Sequence, residues 1–432
     1  MTVSHWRRSF RSPTPLDVGV CVIGAGICGV SAALAARRKR ESVVILERHT
    51  LASGASSRNA GFLMRGAACH YAEAVDLYGR AQARDLWRFT EANLEGLRRE
   101  GCEALPSYRR VPSMLLALHS PSQREGAGGW APSSSPWIPT PAYAASNRSG
   151  LERSLTLMRE DGLDADWIDA ASKYPDDAAW RSGLVSCALV NPHDASVNSF
   201  ELMSMLAAKL APHAALASKL SSPLVENQEV FAIEPQAQGL LVRSSDFAVR
   251  ARHVIVCTNA YASLLLPGFD DLVKPRRGQM LALASQGRTL AASYYCNDGS
   301  EYFRQAADGT IVVGGCRTYF ADEEVGFEDR TTSSVQDALE SFARAMLGYG
   351  GSPLPITARW AGTMGFSPDG LPLIGPVLSS LVPRAQCPVP TPWFCGGFTG
   401  HGMSMGYQAA HEAVDAMLDG REPQFPMTRV KR

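Results

Sequence analysis

The stretch Val18–Gly61, VGVCVIGAGICGVSAALAARRKRESVVILERHTLASGASSRNAG, decides the fold. It opens on Val20, Val22 and Ile23, β-branched residues that suit a buried strand. Gly24, Ala25, Gly26, Ile27, Cys28 and Gly29 then fill the pattern G-x-G-x-x-G. The first glycine lets the chain turn, the second lets a pyrophosphate approach the backbone, and the third lets the next helix pack on its strand. The N-terminus of that helix offers unpaired N–H groups to phosphates. Val43–Leu46 reads as the next strand, and Glu47 follows at the spacing of an acceptor for an adenosine ribose hydroxyl. Strand, turn, helix, strand and acid make a complete dinucleotide unit, far more specific than the glycines alone. The acid favours an unphosphorylated ribose, and so FAD or NAD over NADP.

The rest of the chain sets the frame for this unit. Its 432 residues exceed one compact core, which implies two domains. A hydrophobic content of 45% with 19% charged residues describes a soluble globular protein. Basic and acidic residues balance at 42 each, which argues against a nucleic-acid partner or an anionic membrane surface. No apolar run approaches the roughly 18 residues of a transmembrane helix. The ten cysteines show no C-x-x-C and no regular framework. They read as buried thiols in a reducing, cytoplasmic setting, with no metal site. Residues 1–15 are basic and lack an apolar core, so a disordered tail is expected over a targeting segment.

Further along, Tyr71–Gly101 reads as one helix, with Leu77, Ala81, Leu86, Phe89, Leu94 and Leu97 on one face. Val111–Leu118 reads as a strand. Residues 120–150, rich in Ser, Pro, Gly and Ala, read as a flexible surface loop, with Trp130 and Trp137 implying partial docking. Phe200–Leu210 and Val335–Leu347 read as helices. Short strands are expected at 230–233, 240–244, 247–250 and 253–257, and a second, antiparallel set at 280–284, 301–304 and 310–314. Trp393–Phe398 leads through a glycine turn into a helix from His401, with Met405, Ala409, Ala413 and Met417 on one face.

Four separated blocks resemble the FAD-dependent amine and amino-acid oxidoreductases, the group of D-amino-acid oxidase, glycine oxidase, sarcosine oxidase and dimethylglycine dehydrogenase. They are the opening block, Ser53–Leu63 (SGASSRNAGFL), Arg252–Ala262 (RHVIVCTNAYA), and the tail, which pairs Arg359–Val377 with Phe394–Gly406. The resemblance implies an α/β protein: a Rossmann-like FAD-binding domain and a second α+β domain built on a mostly antiparallel sheet that roofs the flavin. The expected boundaries are 16–80, 193–268 and 360–420 for the FAD domain, and 81–192 and 269–359 for the substrate domain. It further implies hydride transfer from the C–N bond of a small amine or amino acid to FAD, followed by reoxidation by oxygen or another acceptor. Two alternatives stay open: a flavoprotein whose FAD is structural or regulatory and which binds a partner, and a flavin reductase using NAD(P)H.

The cofactor residues implied are Gly24, Ala25, Gly26, Ile27, Cys28, Gly29, Glu47, Arg48, Ser53, Ser57, Arg58, Asn59, Ala60, Val225, Thr258, Asn259, Gly370, Gly397, Phe398, Gly400, His401, Gly402 and Met403. Departures from relatives refine this picture. Where some relatives link flavin through a cysteine or a histidine, alignment places Thr363 and Arg58, so the FAD is expected to be non-covalent. Where others clamp a substrate carboxylate with an arginine or a lysine, this chain has Met364 and Ser404. A carboxylate still favours a fork-shaped donor. Arg304 and Arg317 are the expected replacements, with Arg65 a further candidate, Tyr302 an aromatic wall and His401 a flavin contact.

Overall fold

The computed structural model describes residues 14–67, 69–120, 135–169, 171–211, 213–214, 216, 219–377 and 390–430. Two compact units form, each from separated stretches. The first takes the chain up to Ser57, Leu202–Arg276 and the chain from Met364; the second takes Arg58–Glu201 and Arg277–Thr363. The expected boundary near residue 80 therefore falls between Ser57 and Arg58. The cause is local: Phe62–Leu63 pairs with Ala195–Ser196 of the second unit, and the Arg58 carbonyl accepts a hydrogen bond from Trp360.

The first unit is built on a sheet ordered Leu373–Pro376, Trp393–Gly396, Ala248–Val256, Leu16–Ile23, Val43–Leu46 and Leu224–Val225. Its core pairs run parallel. Val20, Cys21 and Val22 are fully buried, as a strand covered on both faces requires. The expected separate strands at 247–250 and 253–257 are one strand, Ala248–Val256. Arg250 and Arg252 lie exposed on alternate positions of this strand and bond Asp17 and Glu41. The first half of this strand pairs with Leu240–Ser244 and its end with Trp393–Gly396. The helix Gly402–Asp419 buries Met405, Ala409, Ala413 and Met417, and its Gly406 lies against Ile27 at the start of the helix Ile27–Arg38.

The second unit has an eight-stranded sheet ordered Ile356–Phe366, Lys274–Leu283, Ile311–Gly315, Glu301–Gln305, Ser293–Cys296, Ser113–Leu118, Val185–Asn191 and Asp166–Ile168. The described pairs are antiparallel except Ser293–Cys296 with Ser113–Leu118. Its strand alternation sorts side chains onto two faces. Tyr294, Phe303 and Val313 pack into the main core with the helix Ser333–Met346. Tyr295, Tyr302 and Val312 join Phe62, Met64, Met280 and Trp360 in a separate small cluster.

Two expected elements differ. The helix over 71–101 breaks at Gly79, whose φ of 83° separates Tyr71–Tyr78 from Arg80–Arg99. Leu77 is consequently 62% exposed and Ala81 is exposed, while Leu86, Phe89, Leu94 and Leu97 stay buried. The expected loop 120–150 contains the start of a helix, Pro141–Glu160, capped by Thr140. Its buried stripe is Ala144, Asn147, Leu151, Ser154 and Met158, so polar residues interrupt the apolar period that would have announced it. Trp137 is 1% exposed, meets Phe342 edge-on at 5.4 Å and donates to Ser341 Oγ at 3.3 Å. Residues 121–134, Trp130 among them, and residues 1–13 lie outside the described residues. Among the described residues no helix is long and apolar enough to cross a membrane.

Candidate functional site

In the first unit the candidate site is a set of backbone groups around the glycine turn. Gly24 has φ 100°, and a Cβ there would meet the carbonyl oxygen of Cys257 at 3.1 Å. A Cβ at Gly29 would run into the carbonyl oxygen of Gly24, and one at Gly26 would meet Ser56 Oγ at 2.8 Å. Gly26 caps the helix without a side chain, and Ser56 Oγ accepts from Ile27 N at 2.9 Å. Glu47 accepts from Ala25 N at 2.7 Å and from His49 N at 2.9 Å. This ties the acid to the turn. Val225 holds the same strand end, its carbonyl accepting from Glu47 N at 3.0 Å. Arg48 stacks its guanidinium over Tyr261, 4.7 Å from the ring centre.

The loop that follows divides its serines. Ser57 Oγ donates to Ala52 O at 2.6 Å, and Ser53 N bonds Thr50 O. It is Ser56, absent from the sequence reading, that reaches the helix start. Two adjacent serines at 56 and 57 gave no signal to separate them. Cys28 turns its thiol inward, 3.4 Å from Cys257 Sγ and 3.5 Å from Cys395 O, so its backbone alone belongs to the turn. Burial pushes the Cys257 thiol well above its ordinary pKa.

At the end of the strand Ala248–Val256, Thr258 Oγ1 is buried with no hydrogen-bond partner. Asn259 sits at φ 49° and accepts from Gly397 N at 2.9 Å, so its side chain joins this strand end to the tail turn. That turn is left-handed at Gly397, Thr399 and Gly400. Phe398 and Met403 are buried, and Gly402 opens the last helix. His401 precedes it with Nδ1 3.3 Å from Thr399 O, and burial lowers its pKa, so the imidazole is neutral at pH 7. Gly370 closes the Asp369 turn at φ 79°, which Arg429 holds through Asp369 Oδ2 at 2.8 Å. A glycine turn at a helix start, faced at Gly26 by only one rotatable hydroxyl, and an orphaned hydroxyl at a parallel strand end fit a dinucleotide.

In the second unit the candidate site is a face of side chains. Tyr295 and Tyr302 oppose each other across a hairpin, their rings 5.6 Å apart, with Phe62 edge-on to both at 5.1 and 6.1 Å. Tyr295 was missed, although the turn Asn297–Gly299 between SYYC and EYFRQ is a hairpin signal. Burial raises the Tyr302 phenol to about 12, opposed by the positive charge of Arg317.

The other two arginines are committed elsewhere. Arg304 is 5% exposed; Nε donates to Ala60 O and Nη2 to Val197 O at 2.8 Å. The expected carboxylate clamp at Arg304 is thus a backbone staple. Arg65 bonds Glu91 Oε1 at 3.0 Å and the Asp164 carbonyl, while its buried Nε has no partner. Arg58 Nη1 donates to Ala361 O at 3.1 Å and pairs with Asp329 at 3.2 Å. Asn59 Oδ1 accepts from Gly61 N at 2.7 Å. Thr363 Oγ1, two residues beyond Ala361 in the strand Ile356–Phe366, is buried without a partner.

A family model described as FAD dependent oxidoreductase (DAO) matches residues 19–416. A probable oxidoreductase OrdL of Rhizobium meliloti is 21% identical over 91% of this chain and 81% of its own. The glycine oxidase of Geobacillus kaustophilus is 24% identical over 82% of this chain and 83% of its own. The solved structure of that glycine oxidase superposes with a TM-score of 0.67 at 18% identity, over 96% of this chain and all of that one. The L-proline dehydrogenase of P. horikoshii superposes at 0.66 with 16% identity, over 95% of each chain.

Proposed function

Because the chain belongs to the DAO family of FAD-dependent oxidoreductases, matched over residues 19–416, we propose that it oxidises the C–N bond of a small amine or amino acid. FAD, when bound, supplies the hydride acceptor. The chain's own residues bind, orient and exclude water. The Gly24–Gly29 turn and the helix Ile27–Arg38 receive the pyrophosphate, and Glu47 receives the ribose while staying bonded to Ala25 N. Thr258 Oγ1 donates to the cofactor in place of a protein partner. The FAD is held without a covalent bond, since Thr363 offers a hydroxyl and Arg58 is engaged with Ala361 and Asp329.

The observation that carries the substrate reading is the half-buried tyrosine pair Tyr295–Tyr302, whose rings lie 5.6 Å apart. The rings form an apolar wall for the carbon skeleton. The phenol and the Arg317 guanidinium meet a negative group on the substrate, if it carries one. The relatives named for glycine and proline oxidation support an amine of this size. The nine described cysteines are all free thiols, which suits the cytoplasm.

An anaerobic screen tests this reading. Primary and secondary amines, amino acids and NAD(P)H are mixed with the FAD-loaded protein, and loss of flavin absorbance is followed. Bleaching by an amine is the expected result. Bleaching by NAD(P)H alone establishes a reductase, and no bleaching by any of them leaves the structural-flavin alternative. With an acidic amine, Arg317→Met weakens substrate binding while leaving FAD content unchanged.

A further inference from the structure

Three cysteines meet beneath the glycine turn of the first unit. Cys28 is the second residue of the helix Ile27–Arg38, inside the G-x-G-x-x-G stretch. Cys257 follows the strand Ala248–Val256, and Cys395 lies in the strand Trp393–Gly396. Val256 pairs with Phe394, so these two cysteines come next at the same level of neighbouring parallel strands. The Cys28 and Cys257 sulfurs are 3.4 Å apart, and the Cys28 sulfur lies 3.5 Å from the Cys395 carbonyl oxygen. All three are free thiols.

The two close sulfurs differ chemically. Cys28 stands in the first turn of a helix, whose positive end favours a thiolate. The Cys257 and Cys395 thiols hold the Cys28 sulfur below its ordinary pKa, while burial pushes the Cys257 thiol well above its own. A thiolate beside a protonated thiol is the arrangement of a nucleophile and its resolving partner. Cys28 and Cys257 also keep 4% and 6% of their surface exposed, against none for Cys21 and Cys395, so they are the sulfurs that a reagent of water's size meets.

This pair brackets the turn. Cys257 N donates to Ile23 O at 2.8 Å, and a Cβ on Gly24 would meet the Cys257 carbonyl oxygen at 3.1 Å. A Cβ on Gly29 would run into the Gly24 carbonyl oxygen. Strand end, turn and helix start are thus packed without slack. A disulfide holds its sulfurs about 2.0 Å apart, so the pair must close by roughly 1.4 Å from its present 3.4 Å. That movement falls on the backbone N–H groups of the helix start.

Resting on the reading that this turn receives the FAD pyrophosphate, we propose that Cys28 and Cys257 form a reversible disulfide, with hydrogen peroxide as the oxidant, and that the disulfide form binds FAD more weakly. The Cys28 thiolate attacks one peroxide oxygen, the O–O bond breaks, and the departing hydroxide takes up the thiol's proton to become water. Cys28 is then a sulfenic acid. The Cys257 sulfur attacks the Cys28 sulfur, its proton passes to the departing hydroxyl, and a second water leaves. The two thiols together give up two electrons and two protons to one peroxide. A thiol reductant reverses the bond by exchange.

The test treats the full, FAD-free chain with hydrogen peroxide and maps its peptides by mass spectrometry without reduction. We expect a Cys28–Cys257 cross-link that dithiothreitol removes. The FAD dissociation constant, read by fluorescence titration, should rise about tenfold in the disulfide form. By linkage, saturating FAD then favours the dithiol and raises the potential of the pair by about 30 mV in a glutathione titration. Cys257→Ser removes the resolving sulfur, so dimedone should trap a sulfenic acid at Cys28 in that variant and not in wild type. Cys395→Ser should still form the cross-link. Thiols at 28 and 257 that survive excess peroxide overturn the proposal, as does a cross-link to Cys395 or a disulfide form with unchanged FAD affinity. The wild-type map decides the matter if the variants do not fold. Reduced wild-type protein that takes up no FAD refutes instead the functional reading beneath, while the peptide map still decides the thiol pair.

Discussion

The glycine turn of the first unit and the arginine-bearing face of the second illustrate two ways in which residue type relates to role. At Gly24, Gly26 and Gly29 the turn presents backbone, and an added Cβ would meet backbone at Gly24 and Gly29 and the Ser56 hydroxyl at Gly26. Role follows from residue type and spacing, so the motif carries its meaning wherever the strand and helix are present. At Arg65, Arg304 and Arg317 the same residue type serves three ends. One is tied to Glu91, one to two carbonyls, and one counters with its positive charge part of the rise that burial gives the Tyr302 phenol. A guanidinium has five donors and takes whatever acceptors the fold supplies, so its role is settled by neighbours distant in sequence.

The comparison breaks most readily at Gly29. Gly29→Val places a branched side chain against the Gly24 carbonyl, where only backbone could move. We expect no soluble, FAD-bound protein. Gly26→Ala meets only the Ser56 hydroxyl, which can rotate away, and retains a measurable share of FAD. Equal FAD content in the two variants, read from flavin absorbance per protein, would show that the turn does not depend on backbone contact.

The next largest effect lies in the second unit. Trp137 fills its core at 1% exposure, against Phe342. Trp137→Ala removes a whole indole and costs about 3–5 kcal/mol of stability. Urea unfolding measures it, and a loss under about 1 kcal/mol would mean that the segment is a surface loop after all. The same packing predicts that deleting residues 122–149 fails, since it removes Trp137 and the first half of the helix Pro141–Glu160.

A smaller effect distinguishes a buried acid from the buried arginine. Glu301 is fully buried beside Asn297, Cys316 and Tyr319, pairs with no cation among the described residues, and has its carboxyl raised by burial to about 7. The folded state therefore holds a proton that the unfolded chain releases near pH 4.5. This contribution is complete below that pH and is lost as pH rises through 7. At 1.36 kcal/mol per pH unit it amounts to about 3 kcal/mol. Asp194, raised to about 6, adds a term of the same sign. Unfolding free energies at pH 4.5 and pH 7.5 should differ more in wild type than in Glu301→Gln. Identical pH slopes for the two proteins would show that the carboxyl titrates normally in the fold.

How much of this was legible depends on where each interaction closes. The opening turn closes over 30 residues, and its strand, helix and acid were all readable. The strand Ala248–Val256 was split in the reading because Arg250 and Arg252 are the exposed phase of its alternation. The helix Pro141–Glu160 was hidden because Asn147 and Ser154 occupy buried positions and bond Asp298 and His70. Arg304 was misread because its acceptors, Ala60 and Val197, lie 244 and 107 residues away. Thr258 and Asn259 show both outcomes at one strand end: one hydroxyl is orphaned, and one amide is absorbed by the tail turn.

The smallest expected effect sharpens the comparison within a single dipeptide. Ser56 and Ser57 are identical in type and adjacent, yet Ser56 Oγ accepts from Ile27 N, while Ser57 Oγ donates to Ala52 O. Ser56 caps the helix that carries the glycine turn from 29 residues away, doing what Gly26 cannot do for lack of a side chain. Loss of such a cap costs about 1 kcal/mol. Ser56→Ala should therefore weaken FAD binding by about fivefold, because the first turn of the helix loses its fixed end. Ser57→Ala also removes a hydrogen bond, but one that closes within its own loop, and it should leave FAD affinity near wild type. Fluorescence titration of the apoprotein with FAD reads both. If Ser57→Ala weakens FAD as much as Ser56→Ala, the loop acts as a unit and the cap is not the reason. If neither changes affinity, the helix start holds its geometry from backbone alone, and the first unit depends on its glycines even more completely than the contrast with the arginine face implies.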